Sequence, residues 1–187
     1  MKYSRVLLMF VSFLLAASVT SPASGGLLPS LASGKLKERF AILSQRHTNR
    51  CNLTPGELAT MPAAARLQGS CCGPMKYSDY VKQINGLKAY AGTDTIPPDP
   101  YDVSVALAKH LIYLDRRLTL TPAEQKVYNR ATKMAEEHGP CCCRCWRWFA
   151  FEGQAKQFIR LRRYSAAQVA QIWDLEDGCG SGSMMMP

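Results

Sequence analysis

The chain has 187 residues, 47% apolar and 20% charged, with 23 Lys+Arg against 14 Asp+Glu. That balance excludes a disordered or collagenous chain, and the length suffices for one domain with a core of its own. The net charge of +9 is spread along the chain, which fits solvated helix faces with weak association to anionic surfaces; no nucleic-acid partner is expected.

Residues 1–24 have the three-part pattern of a Sec-type signal peptide. Lys2 and Arg5 give a positive start, 6–19 is apolar except for Ser12 and Ser18, and Ser21-Pro22-Ala23 supplies small residues for cleavage. There is no twin-Arg pair and no Cys at the cleavage site for lipid attachment. The expected location is periplasmic or extracellular, with any ligand acquired there. The remaining sequence has no apolar run long enough for an internal transmembrane span.

Residues 25–34, rich in Gly, Ser and Leu, read as a flexible mature N-terminus. From Lys35 a helix is expected, with Leu36, Phe40 and Leu43 on one side. Thr54-Pro55-Gly56-Glu57, Thr121-Pro122-Ala123-Glu124 and Ser165-Ala166-Ala167-Gln168 each place a hydroxyl three residues before Glu or Gln. These are capping boxes, which satisfy the unpaired N–H groups of a helix start, and Pro suits the first helical position in two of them.

Tyr80, Ile84, Leu87 and Tyr90 recur at helical spacing before the stiff connector Ile96-Pro97-Pro98-Asp99-Pro100. Val103, Leu107, Leu111, Leu114 and Leu118 form the cleanest helical stripe. Further helices are expected over 122–138, closed by Gly139-Pro140, over 145–163 with Trp148, Phe151, Ala155 and Phe158 inward, and over 165–175. No stretch alternates at period two. The expected fold is mostly α: a single small cysteine-rich domain of five to seven helices over 35–178, with 179–187 a Gly/Ser/Met tail.

All eight cysteines lie beyond the leader. An even number in an exported chain points first to disulfides. The densest group is His138-Gly139-Pro140-Cys141-Cys142-Cys143-Arg144-Cys145-Trp146. With Gly139 as cap and Pro140 at the first position, a helix through this group would put Cys141, Cys142 and Cys145 on one face. The free N–H groups of its first turn, with Arg144, would favour thiolates. Cys71-Cys72-Gly73-Pro74-Met75 forms a second group, and Cys179 a third.

Thiolate and thioether ligands select soft ions, Cu(I) first and Zn(II) second. The primary ligands expected are Cys142, Cys145 and one of Cys71 or Cys72, with Met75 or Cys179 accessory, and Cys141, Cys143 and His138 close by. The spacing is not that of a zinc finger, a ferredoxin or a haem-attachment site.

The residues support an exported binding protein, more readily than an enzyme, that captures copper or zinc through clustered thiolates. Two alternatives stand beside it: a disulfide-stabilised structural or interaction module without metal, and a thiol–disulfide redox protein using Cys142-Cys143-Arg144-Cys145. The redox reading lacks the preceding strand that such motifs follow. His47 and His110 have no partners in sequence for catalysis, and no phosphate loop, Gly-x-Ser-x-Gly or His-Glu-x-x-His occurs. Trp146 is placed to shield sulfurs from water. The metal and disulfide readings both require the 141–145 group to fold beside Cys71 and Cys72.

Overall fold

The computed structural model describes the backbone of residues 27–180 and the side chains of 33–180. The segment read as a signal peptide, residues 1–24, and the methionines of the tail lie outside the described residues. The elements run α1 (Leu27–Leu43), α2 (Pro55–Thr60), β1 (Arg66–Gln68), α3 (Tyr77–Leu87), β2 (Asp102–Ser104), α4 (Val105–Arg117), α5 (Pro122–Met134), α6 (Trp146–Arg162) and α7 (Ala166–Glu176). Mostly helical and folded as one domain, the chain matches the class its sequence implies. Among the described residues no helix is long and apolar enough to cross a membrane.

All three capping boxes form. Thr54, Thr121 and Ser165 each accept the backbone N–H three residues on, while Glu57, Glu124 and Gln168 reach back to the cap N–H. They fix the starts of α2, α5 and α7.

Three expectations change. Helix α1 begins at Leu27 rather than at Lys35; Gly34 sits within that helix with open space around it. Val103 lies in β2, paired antiparallel with Leu67 of β1 rather than on the helical stripe. Each strand has only three residues, too short to display alternation. Finally, the cysteines of 141–145 precede a helix instead of starting one. Ala135 caps α5, His138 takes a left-handed φ of 51°, and the extended Cys145 is the N-cap of α6.

The core has two main parts. One gathers Tyr128, Phe151, Phe158 and Trp173 between α5, α6 and α7. The other gathers Leu58, Leu67, Leu111 and Trp146 with Cys141, Cys145 and Cys179. Full burial of such apolar side chains contributes about 1.5–3 kcal/mol each. Helices α4 and α6 pack closely. A Cβ at Gly153 would lie 2.0 Å from the carbonyl oxygen of Leu111, so only glycine allows the two backbones this approach. That contact sets where α6, and the cysteines before it, enter the core.

Candidate metal centre

Four stretches of chain build the centre, and backbone hydrogen bonds tie them together. The Cys51 N–H donates to the Cys71 carbonyl at 3.0 Å, and the Cys71 N–H to Gly178 at 3.0 Å. The N–H groups of Cys72 and Gly73 both donate to the Cys179 carbonyl, at 3.2 and 2.7 Å. The start of α6 is pinned to the first stretch by the Trp146 N–H on the Leu53 carbonyl, 2.8 Å. The Trp146 indole Nε1 also donates to Asn49 Oδ1 at 3.0 Å, and Asn49 Nδ2 to the Gly69 carbonyl at 2.9 Å. Trp146 and Asn49 are both buried.

These bonds bring the cysteines of all four stretches together as free thiols. Cys72 Sγ lies 3.4 Å from Cys142 Sγ and 3.9 Å from Cys143 Sγ. Cys179 Sγ lies 3.5 Å from Cys71, 3.4 Å from Cys141 and 2.7 Å from Cys142. None of these separations is the roughly 2.05 Å of a disulfide. With metal–sulfur bonds of about 2.3 Å, two sulfurs on one ion lie roughly 3.8 to 4.0 Å apart in tetrahedral or trigonal ligation; the separations of 3.4 to 3.9 Å come near that spacing, and only the Cys142–Cys179 approach is shorter.

Three triads have all their sulfurs within 4.8 Å of one another: Cys51, Cys72 and Cys143; Cys71, Cys72 and Cys179; and Cys141, Cys142 and Cys143. Cys145 belongs to none of them, but it interacts with Cys141, Cys143 and Cys71. Exposure is graded. Cys141, Cys145 and Cys179 are buried, Cys51, Cys71, Cys142 and Cys143 are half-buried, and Cys72 is exposed.

No family model, curated protein or solved structure matches the chain.

Of the ligands expected from sequence, all seven cysteines are in the cluster. Cys142 and Cys145 do not form a pair apart: Cys142 approaches Cys179 and Cys72, and Cys145 approaches Cys141, Cys143 and Cys71. Met75 packs instead with the group of Leu43, Tyr80 and Tyr101. His138 is exposed and joins no triad. Cys51, absent from the expected ligand set, belongs to the centre. Arg144 lies over the rings of Trp148 and Phe149, 5.1 and 5.7 Å from their centroids.

The protons are unevenly held. Cys141 is driven well below an ordinary thiol by contacts with Cys142, Cys143, Cys145 and Cys179. Cys142, Cys145 and Cys179 are driven up, in each case first by Cys141. Contact with Cys141 also raises Cys71, but contacts with Cys142, Cys143 and Cys145 outweigh it and hold Cys71 at about 6. Burial pushes Cys51 up, as do Cys143 and Cys72. The pattern puts thiolate character at Cys141 and Cys71, among neighbours such as Cys142, Cys145 and Cys179 that keep their protons. More negative charge in so small a volume needs a cation.

One cation is built in. Arg147, in the first turn of α6, has no solvent exposure. Its Nη1 donates to the Glu176 carbonyl at 2.9 Å and its Nη2 to the Pro100 carbonyl at 2.8 Å, while Nε has no partner. Burial opposes its charge, but Cys71, Cys141, Cys179 and Cys145 act against burial and raise its pKa above the ordinary value. Gly178 makes the space, because a Cβ there would lie 2.5 Å from Nη2. Glu176 does not cancel this charge near neutrality. Burial pushes its carboxyl up to about 8, despite the 3.0 Å hydrogen bond from Gln154 Nε2. Arg147 is thus a buried cation whose negative partners are the cysteine sulfurs and Asp177, the latter with its carboxyl at about 6.

Proposed function

We propose that the chain is an exported soft-metal-binding protein that captures Cu(I), and Zn(II) second, through its clustered cysteine thiolates. The observation that carries the reading is the gathering of seven thiols from four separate stretches of chain into triads whose sulfurs lie within 4.8 Å of one another, with Cys145 in the same core group. Backbone hydrogen bonds, rather than disulfides, hold those stretches in register.

The chemistry follows from the donor set. Sulfur-only ligation favours Cu(I) over the hard cations Mg(II) and Ca(II). Binding exchanges a thiol proton for a metal ion, so it relieves the crowding of partly protonated sulfurs. Trp146 and the surrounding apolar side chains keep water from the inner sulfurs, and Arg147 lowers the electrostatic cost of turning thiols into thiolates. Cys72, exposed at the rim, is where an ion first meets the centre.

The test is an anaerobic competition titration of the fully reduced chain against the chromophoric Cu(I) chelator bicinchoninate. The expected result is withdrawal of copper from the chelator, with Zn(II) displaced by Cu(I) when both are supplied. A chain that leaves all the copper on the chelator contradicts the reading.

A further inference from the structure

We propose that the centre holds a sulfur-bridged cluster of three or more Cu(I) ions, one to each sulfur triad, rather than a single ion. This rests on the soft-metal reading and specifies what that site takes up.

The argument starts from how the triads connect. Cys72 belongs to both the Cys51 triad and the Cys71/Cys179 triad. Cys143 belongs to both the Cys51 triad and the Cys141/Cys142 triad. A thiolate shared between two three-sulfur sites is a bridging ligand, since sulfur has lone pairs for two soft ions. The 3.9 Å contact between Cys72 and Cys143 links the two bridges. The 2.7 Å approach of Cys142 to Cys179 joins the remaining two triads.

A mononuclear tetrahedral ion would use four sulfurs. It would leave the others of this cluster as thiols packed against thiolates, among them Cys141, Cys145 and Cys179 in the core. Grouping in threes with shared corners suits a low-coordinate monovalent ion and gives the inner sulfurs a partner. Cys145, beside Cys141, Cys143 and Cys71, is an eighth donor at the inner end.

Charge points the same way. Each Cu(I) brings one positive charge, and each thiol that joins the cluster releases its proton to solvent, with no change in oxidation state. Several ions neutralise more of the thiolate charge than one ion does. A second ion therefore enters a site where bridging sulfurs are already deprotonated, and loading is cooperative.

The experiment is anaerobic native mass spectrometry of the full reduced chain during titration with Cu(I) supplied as its acetonitrile complex. The expected spectrum below saturation holds the metal-free chain and a species with three or more copper ions, with the one-copper form depleted. Cys72→Ser and Cys143→Ser each break two triads and lower the saturating copper by at least two ions, whereas Cys71→Ser breaks one triad and lowers it by at most one. Saturation at one copper overturns the bridged cluster and leaves the soft-metal reading standing. No copper at any ratio removes both. Equal stoichiometry for Cys72→Ser and Cys71→Ser overturns the sharing of sulfurs. Circular dichroism of each variant confirms that its helices are retained.

Discussion

Arg147 couples the centre to the rest of the molecule. It is fully buried and packs 4.9 Å from the Trp146 ring centroid and 5.4 Å from that of Phe151; burial opposes its charge, and the cysteine sulfurs favour it. Replacing it with Met keeps most of its volume and removes the charge. Arg147→Met is expected to weaken Cu(I) binding in the bicinchoninate competition by about tenfold, equivalent to about 1.4 kcal/mol. It should also raise the pH at which the thiols react with an alkylating reagent. Arg147→Lys should recover part of both effects, and unchanged affinity and thiol reactivity in the Met variant would show that the charge does not serve the sulfurs. Nothing in the sequence singled Arg147 out, because arginine is normally solvated and its burial depends on the space left by Gly178, far along the chain. Cys51 was equally hidden. It is isolated in sequence, and its place beside Cys72 and Cys143 comes from the backbone bond to Cys71. Met75, next to a cysteine pair in sequence, was drawn instead into the group of Leu43, Tyr80 and Tyr101.

At the level of elements, helix starts were the most legible feature, because a capping box is a local bargain between side chain and backbone. Thr121 illustrates its strength: it accepts from the Glu124 N–H while Glu124 accepts from the Thr121 N–H at 2.9 Å. Thr121→Ala is expected to cost about 1 kcal/mol of stability, read as a lower midpoint in urea unfolding. Helix α5 packs in the half of the core around Tyr128 and Trp173, away from the cysteines, so copper uptake by this variant should match the parent chain. A fall in copper stoichiometry would mean that the two halves of the core are not separable. The start of α6 was less legible. Gly139-Pro140 reads locally as a helix entrance, but the Trp146 N–H and indole are claimed by Leu53 and Asn49. Those long-range bonds fix the helix start at Trp146 and leave the cysteines in irregular chain, free to turn their sulfurs toward different partners. The pair β1–β2 was missed for a simpler reason: three residues to a strand carry no readable period.

For the whole molecule, the helical class follows from patterns within short windows, whereas the centre follows from the meeting of windows. The stretches around Cys51, Cys71, Cys141 and Cys179 span most of the described chain, so a metal bound among them also ties the fold together. Both the chelating and the cross-linked readings required these stretches to meet, and they do. What separates the two readings is whether the sulfurs are held by metal or paired with one another. The most direct measurement is the intact mass of the full chain, isolated without reductant, after unfolding in iodoacetamide with a Cu(I) chelator. The account predicts eight alkylated cysteines, because the sulfurs were held by metal and not by each other. A mass without added alkyl groups would mean that all the sulfurs were paired in disulfides, and would contradict it.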